Sequence, residues 1–235
     1  MTKRVVRAAF MKSLPIMAGY IVLGIGFGIL LQKSGFGVLW ALCMSIVIYA
    51  GSMQYVGVSL LAGGASLLVT AVTTLMVNAR HLFYSISMLT LYQDAGKKKP
   101  YLIFSLTDET YSILCDGSSP KGEDAHCFRF LVSLFDQCYW VIGCVTGTLL
   151  GAVLPFDTTG IDFSMTALFV TVFVEQWKST KQHAPALLGI AVTALCRLVF
   201  SADLFLIPAM IGISAGLLAM HGRLEPAREE GVSHD

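Results

Sequence analysis

Charge is what this sequence has least of. Only 13% of its 235 residues are Asp, Glu, Lys or Arg, against about 25% in an ordinary soluble domain. So little polar surface excludes a soluble globular fold. Metal-cluster spacing is missing too, because the six cysteines stand singly and form no CxxC pair. No GxGxxG, Walker loop or HExxH occurs. The chain is therefore read as a non-enzyme without a cofactor, and any transport must draw on a gradient or on another subunit. A net charge of +1 gives no electrostatic case for nucleic acid.

What is present is apolar sequence in long runs, with 55% hydrophobic residues and a mean hydropathy of +0.72. This predicts an all-α polytopic integral membrane protein of about seven spans, solvated by membrane lipid. A basic start (Lys3, Arg4, Arg7, Lys12) leads into a run from Leu14 to Leu31. That run is too long for a signal h-region and is read as a retained span. In it Gly24 and Gly28 have GxxxG spacing, which seats a close helix neighbour. Run 38–62 is divided by "AGSMQ" at 50–54, and run 65–91 holds Asn78, Arg80 and His81 at its middle. The segment 101–115 is short for a span and carries Asp108 and Glu109. Runs 128–155, 163–177, 184–200 and 204–220 follow, and the tail 221–235 is expected to be disordered and cytoplasmic. Cys115 and Cys127 flank a polar loop, where free thiols are expected over a disulfide.

Positive charge sets the orientation. The four basic residues at the start and Lys97–Lys99 both belong in the cytoplasm, which requires an even number of crossings between them. Three apolar runs lie in that interval, so one does not cross. The divided run 38–62 is the candidate for a re-entrant pair of half-helices, a backbone break tolerated only inside protein or beside water. A shift of 120 residues aligns "LLVTAVTTL" (67–75) with "LLGIAVTAL" (187–195), and Phe10, Ser13 and Leu14 with Phe130, Ser133 and Leu134. With 101–115 crossing once, the halves 10–91 and 130–220 run in opposite directions, making one transporter domain over 1–235 from an inverted repeat.

Polar groups at membrane depth cost roughly 2.5–3.5 kcal/mol each on insertion scales, so each calls for a reason. Arg80 presents a planar donor fork that holds either a substrate carboxylate or a buried acid that moves protons, or else stands in a fixed structural ion pair with Asp108 or Glu109. His81 is either a proton relay or a packing residue. Asp108 and Glu109 point about 100° apart on a helix, so they serve different partners. Gly51 permits an unusual backbone, and a half-helix starting there, with Ser52 and Gln54, aims N–H groups at an anion such as a carboxylate. Gly51, Ser52, Gln54, Asn78 and Arg80 are thus the substrate candidates, and His81, Asp108, Glu109 and Glu175 the proton-coupling candidates. Glu175 also sits beside Trp177 and Lys178, which read as an interfacial anchor. Asp136, Arg197 and Asp203 are read as a separate structural network.

Together, "YAGSMQYVGVSLL", "VNARHLFYSISM", "FSLTDETYSI" and "ALFVTVFVEQWKS" resemble the AzlC family in order and spacing, over about Met11 to Met220. That family supplies the large subunits of bacterial branched-chain amino acid exporters. The resemblance implies an inner-membrane permease for leucine, isoleucine and valine, with methionine as a further candidate. It also implies a partner, the small AzlD-type membrane subunit. The alternative is a channel-like or scaffold subunit whose small partner carries the substrate site.

Overall fold

The computed structural model describes residues 3–115, 117, 119–120, 124–153, 163, 166–167, 170, 173–174, 177–178, 182–200 and 205–224, without the side chains of 79, 80, 82, 83, 206, 207, 210 and 221–224. The chain divides into two units, Met1–Ala167 and Leu168–Asp235.

Two helices of the first unit, α1 (Lys3–Lys33) and α8 (Ala125–Val153), are long and apolar enough to cross a membrane. At 1.5 Å per residue they reach about 46 and 43 Å, against a hydrocarbon core of about 30 Å. They pack glycine face to glycine face. A Cβ on Gly143 would stand 2.8 Å from the Ile21 carbonyl oxygen, one on Gly147 would strike Ile25, and one on Gly151 would come 3.1 Å from Ile29 Cα. From α1, a Cβ on Gly24 would meet the Cys144 nitrogen at 2.9 Å. The contacts advance together along both chains, so α1 and α8 run in the same direction.

That direction corrects the inverted repeat. The halves 10–91 and 130–220 were expected to oppose each other, but their leading helices are parallel. The cause lies in the segment 101–115, which was expected to cross once. It forms two short helices, α6 (Lys99–Phe104) and α7 (Asp108–Leu114), too short to span. Thr107 ends the first apolar stretch as N-cap of α7, its hydroxyl accepting from the Thr110 N–H at 3.2 Å. Leu102, Leu106 and Leu114 share one core with Val5 and Ala9 of α1 and Phe128 and Leu131 of α8. The chain thus returns to the end it came from. Arg129 fastens the return by donating to the carbonyls of Leu91 at 3.1 Å and Gly117 at 3.3 Å.

The divided run 38–62 also doubles back, as its sequence break requires. Helix α2 (Val38–Cys43) passes through a π turn (Met44–Ile48) into Tyr49 at φ 43°, then extended Ala50, and α3 (Gly51–Ala62) begins. A left-handed tyrosine costs roughly 1–2 kcal/mol, and its burial holds it in place. Ile46 lies deep along α8, its carbonyl accepting from Gln137 at 3.2 Å. Tyr55 is already back at Leu23, whose carbonyl it meets at 2.7 Å. A Cβ on Gly57 would lie 3.4 Å from Met44 Cε, so the two arms are antiparallel neighbours. One hairpin therefore enters beside the C-terminal end of α1 and the other beside its N-terminal end.

Helices α4 (Leu67–Val77) and α5 (Ala79–Met88) join them, meeting at Asn78. No residue of α4 is buried, and Leu67 is 90% exposed. Asp124 caps α8, accepting from the N–H groups of His126 at 2.9 Å and Cys127 at 3.0 Å. A hydrogen bond from Lys98, also 2.8 Å away as an ion pair, holds its carboxyl below the usual carboxylate range. Cysteines replacing Lys98 and Ser119 are expected to react with an impermeant thiol reagent from one and the same side. Labelling from opposite sides would show that α6 and α7 cross.

In the second unit α9 (Ala184–Val199) and α10 (Leu206–Leu224) are antiparallel, Gly212 lying against Val192 and Gly216 against Leu188. Helix α10 continues into the segment expected to be disordered from residue 221, and 225–235 lie outside the described residues. Asp136, Arg197 and Asp203 were expected to form a separate network; Asp136 belongs to the first unit and Arg197 to the second. Asp136 accepts from Thr110, the exposed Arg197 lies over the Phe205 ring at 5.9 Å, and Asp203 is outside the description. Arg197, Trp177 and His183 line an apolar groove of about 980 Å³. All six cysteines are free.

Candidate functional site

The two hairpin breaks meet beside the middle of α1 and α8. Tyr49 of one break faces Phe104 of the other with ring centroids 6.3 Å apart. Gln137 of α8 ties both, donating to Ile46 and accepting from the Tyr101 hydroxyl at 2.7 Å. A side-chain amide suits this place because it donates and accepts at once without adding a charge.

Around this junction the substrate candidates of the first break fall together. Gly51 opens α3 with the Trp140 indole across it, 3.2 Å from where a Cβ would stand. Any larger residue would push that ring, and the ring is held. Its Nε1 donates to Gln54 Oε1 at 2.8 Å, and it meets Tyr20 edge-on at 5.5 Å and Phe27 at 6.3 Å. Ser52 is 3% exposed and Gln54 fully buried. The Gln54 Nε2 amide is buried with no hydrogen-bond partner among the described residues. An orphaned buried donor costs about 1–3 kcal/mol, so its persistence needs an acceptor.

The "NARH" stretch sits at another helix junction. Asn78 links α4 to α5 with φ −92° and ψ 2°, and its buried Oδ1 has no partner among the described residues. Its carbonyl accepts from the His81 N–H at 2.9 Å and lies 3.2 Å from His81 Nδ1. His81 is thereby fixed to its own helix start. The Arg80 backbone belongs to α5, and its side chain lies outside the described residues. Helix α5 reaches α7 through Tyr84 stacked on Tyr111, with centroids 4.7 Å apart.

Asp108 and Glu109 occupy the first turn of α7, where negative charge suits the helix dipole. Glu109 Oε2 accepts from the Tyr20 hydroxyl at 2.8 Å. Glu175 lies outside the described residues. Tyr20, Thr107, Thr110 and Trp140 line the same junction and were not singled out from sequence. The signals available were a lone tyrosine in an otherwise apolar run and a threonine followed by two acids, which marks a helix N-terminus.

Comparison with known proteins places this geometry. The family described as AzlC protein matches residues 15–154, which include both hairpins and all of α8. The chain is 42% identical to the branched-chain amino acid transport protein AzlC of Bacillus subtilis (strain 168), over 94% of this chain and 87% of that protein. It is 41% identical to an uncharacterized membrane protein of Haemophilus influenzae, over 88% and 85% of the two chains. Inner membrane protein YgaZ of Escherichia coli (strain K12) is 29% identical over 88% and 85%. No solved structure matches the chain. A match that takes in both broken hairpins, with relatives aligned over most of their lengths, makes this chain a member of the AzlC family.

Proposed function

We propose that this chain is the large permease subunit of a bacterial inner-membrane exporter of branched-chain amino acids, driven by the proton gradient. The observation that carries the substrate reading is the orphaned amide of Gln54, a buried donor one turn into a half-helix. A carboxylate at that break would accept from the Gln54 Nε2 amide, at the N-terminal end of α3 where the helix dipole favours an anion. Gly51 and Ser52 would shape the seat, and Asn78 and Arg80 would close it from the α4–α5 junction. Asn78 would receive the substrate ammonium through its unpartnered Oδ1. Leucine, isoleucine and valine fit the apolar surroundings, and methionine is a further candidate. The similarity to a branched-chain amino acid transport protein supports this substrate class.

The acids near the second break, Asp108 and Glu109, with His81 and Glu175, are the proton candidates. Two hairpins entering from opposite ends and meeting at mid-depth form the kind of broken-helix site on which alternating access works. With the basic residues Lys3, Arg4 and Arg7 at the N-terminal end of α1, that end and the α6–α7 hairpin are assigned to the cytoplasm, as is the C-terminus. The bare apolar surface of α4 offers a place for the small AzlD-type subunit. That surface equally supports a second reading, a scaffold whose partner holds the substrate.

Export of labelled leucine from proteoliposomes containing the chain with its small subunit tests the first reading. Export should follow an imposed pH gradient and stop when the gradient is collapsed. Leucine binding by the large chain alone separates the readings: binding rejects the scaffold, and its complete absence rejects the permease.

A further inference from the structure

Four oxygen–oxygen contacts join two carboxyl groups across α7, α1 and α8. Glu109 Oε2 accepts from the Tyr20 hydroxyl at 2.8 Å, and that hydroxyl lies 2.6 Å from Thr107 Oγ1. Thr107 Oγ1 lies 3.0 Å from Thr110 Oγ1, which donates to Asp136 Oδ2 at 2.8 Å. A close contact between two oxygens is favourable only with a hydrogen between them.

Three hydroxyls bring three hydrogens to these four contacts. With both carboxyls ionised, Tyr20 and Thr110 donate outward and Thr107 fills one inner contact. The other inner contact is then two lone pairs face to face. One added proton, on either carboxyl, fills all four. With that proton on Asp136 every hydroxyl donates toward Glu109, and with it on Glu109 every hydroxyl donates toward Asp136. The exchange breaks four O–H bonds and forms four, moves one proton between the ends and leaves each hydroxyl neutral.

The surroundings favour one shared charge over two. Asp136 is fully buried, and its Oδ1 has no hydrogen-bond partner among the described residues. Ionisable groups that interact with it include Glu109 of α7, Tyr20 of α1, Tyr49 at the hairpin break and Tyr101 of α6. No Lys, Arg or His contacts it among the described residues. Glu109, by contrast, is only half-buried.

We infer that Glu109 and Asp136 share a single proton through the Tyr20, Thr107 and Thr110 hydroxyls, with Asp136 as its inner store and Glu109 as the end that exchanges it. This inference rests on the proton-coupled reading above for its use in transport, but the shared proton itself is measurable without transport.

Infrared spectroscopy of the full chain in lipid at neutral pH should show a protonated carboxyl band that is lost in both Asp136→Asn and Glu109→Gln. In either variant the amide supplies the missing hydrogen, so the remaining acid ionises. Absence of the band from the wild type, or its survival in either variant, would overturn the inference. In the transport assay Thr107→Val should reduce gradient-driven accumulation to the gradient-free level while leucine counterflow persists, and Thr107→Ser should restore it. Accumulation unchanged in Thr107→Val would overturn the relay while the proton-coupled reading stands. If wild-type export ignores the gradient, that reading falls, and the infrared bands still decide whether the proton is shared.

Discussion

Replacing Gly28 or Gly147 with leucine is expected to abolish accumulation of folded protein in the membrane. The two glycines lie where the backbones of α1 and α8 touch. A Cβ on Gly28 would strike the Cys144 carbonyl and stand 2.5 Å from the Thr148 nitrogen, and one on Gly147 would strike Ile25. These obstacles are backbone atoms, which no rotamer change moves aside. Overpacking a single methylene into a core costs about 1–3 kcal/mol, and a leucine brings several. A total stability of about 5–15 kcal/mol leaves little room for that. Lipid offers no compensating hydrophobic drive, because small residues and close contact are what hold such pairs together. Gly19, on the same helix, has nothing within 4 Å of its Cβ position. Gly19→Ala should therefore be neutral or stabilising, by up to about 1 kcal/mol. Size-exclusion profiles after heating would check both results. A well-folded Gly28→Leu protein would mean that α1 and α8 do not pack as described.

The second large effect is expected at the first hairpin break. Gln54→Leu removes a buried donor whose nitrogen has no partner among the described residues, so little native hydrogen bonding is lost beyond the Trp140 contact. Hydrogen bonds to charged groups contribute about 1.5–3 kcal/mol. If the amide holds the substrate carboxylate, leucine affinity should fall roughly 10- to 100-fold with the protein still folded. Arg80→Ala should go further and abolish export, since a guanidinium supplies both charge and a paired donor geometry. Leucine titration of both variants in lipid reads the difference directly. Unchanged affinity in Gln54→Leu would move the substrate away from α3, and retained export in Arg80→Ala would leave that arginine a structural ion.

Local chemistry was legible from the residues alone. Sparse charge and long apolar runs determined a helical membrane protein, because a bilayer admits few alternatives. The glycine in "AGSMQ" marked the break now found at Tyr49 and Ala50, since a helix interruption leaves its mark where it occurs. Gly24 and Gly28 announced a close neighbour without naming it.

Only the tertiary structure decided which segments double back. Fifteen residues of helix reach about 22 Å, short of the core yet too apolar to exclude, so hydropathy could not settle 101–115. Its two short helices turn back, and that single fact sets α8 parallel to α1 and undoes the expected inversion. The same holds for the polar chain from Glu109 to Asp136. Its members come from α1, α7 and α8 and meet only because two glycine-faced helices lie in contact and a hairpin ends beside them. Periodicity and capping are written within one helix, whereas which helices become neighbours depends on the whole chain's path.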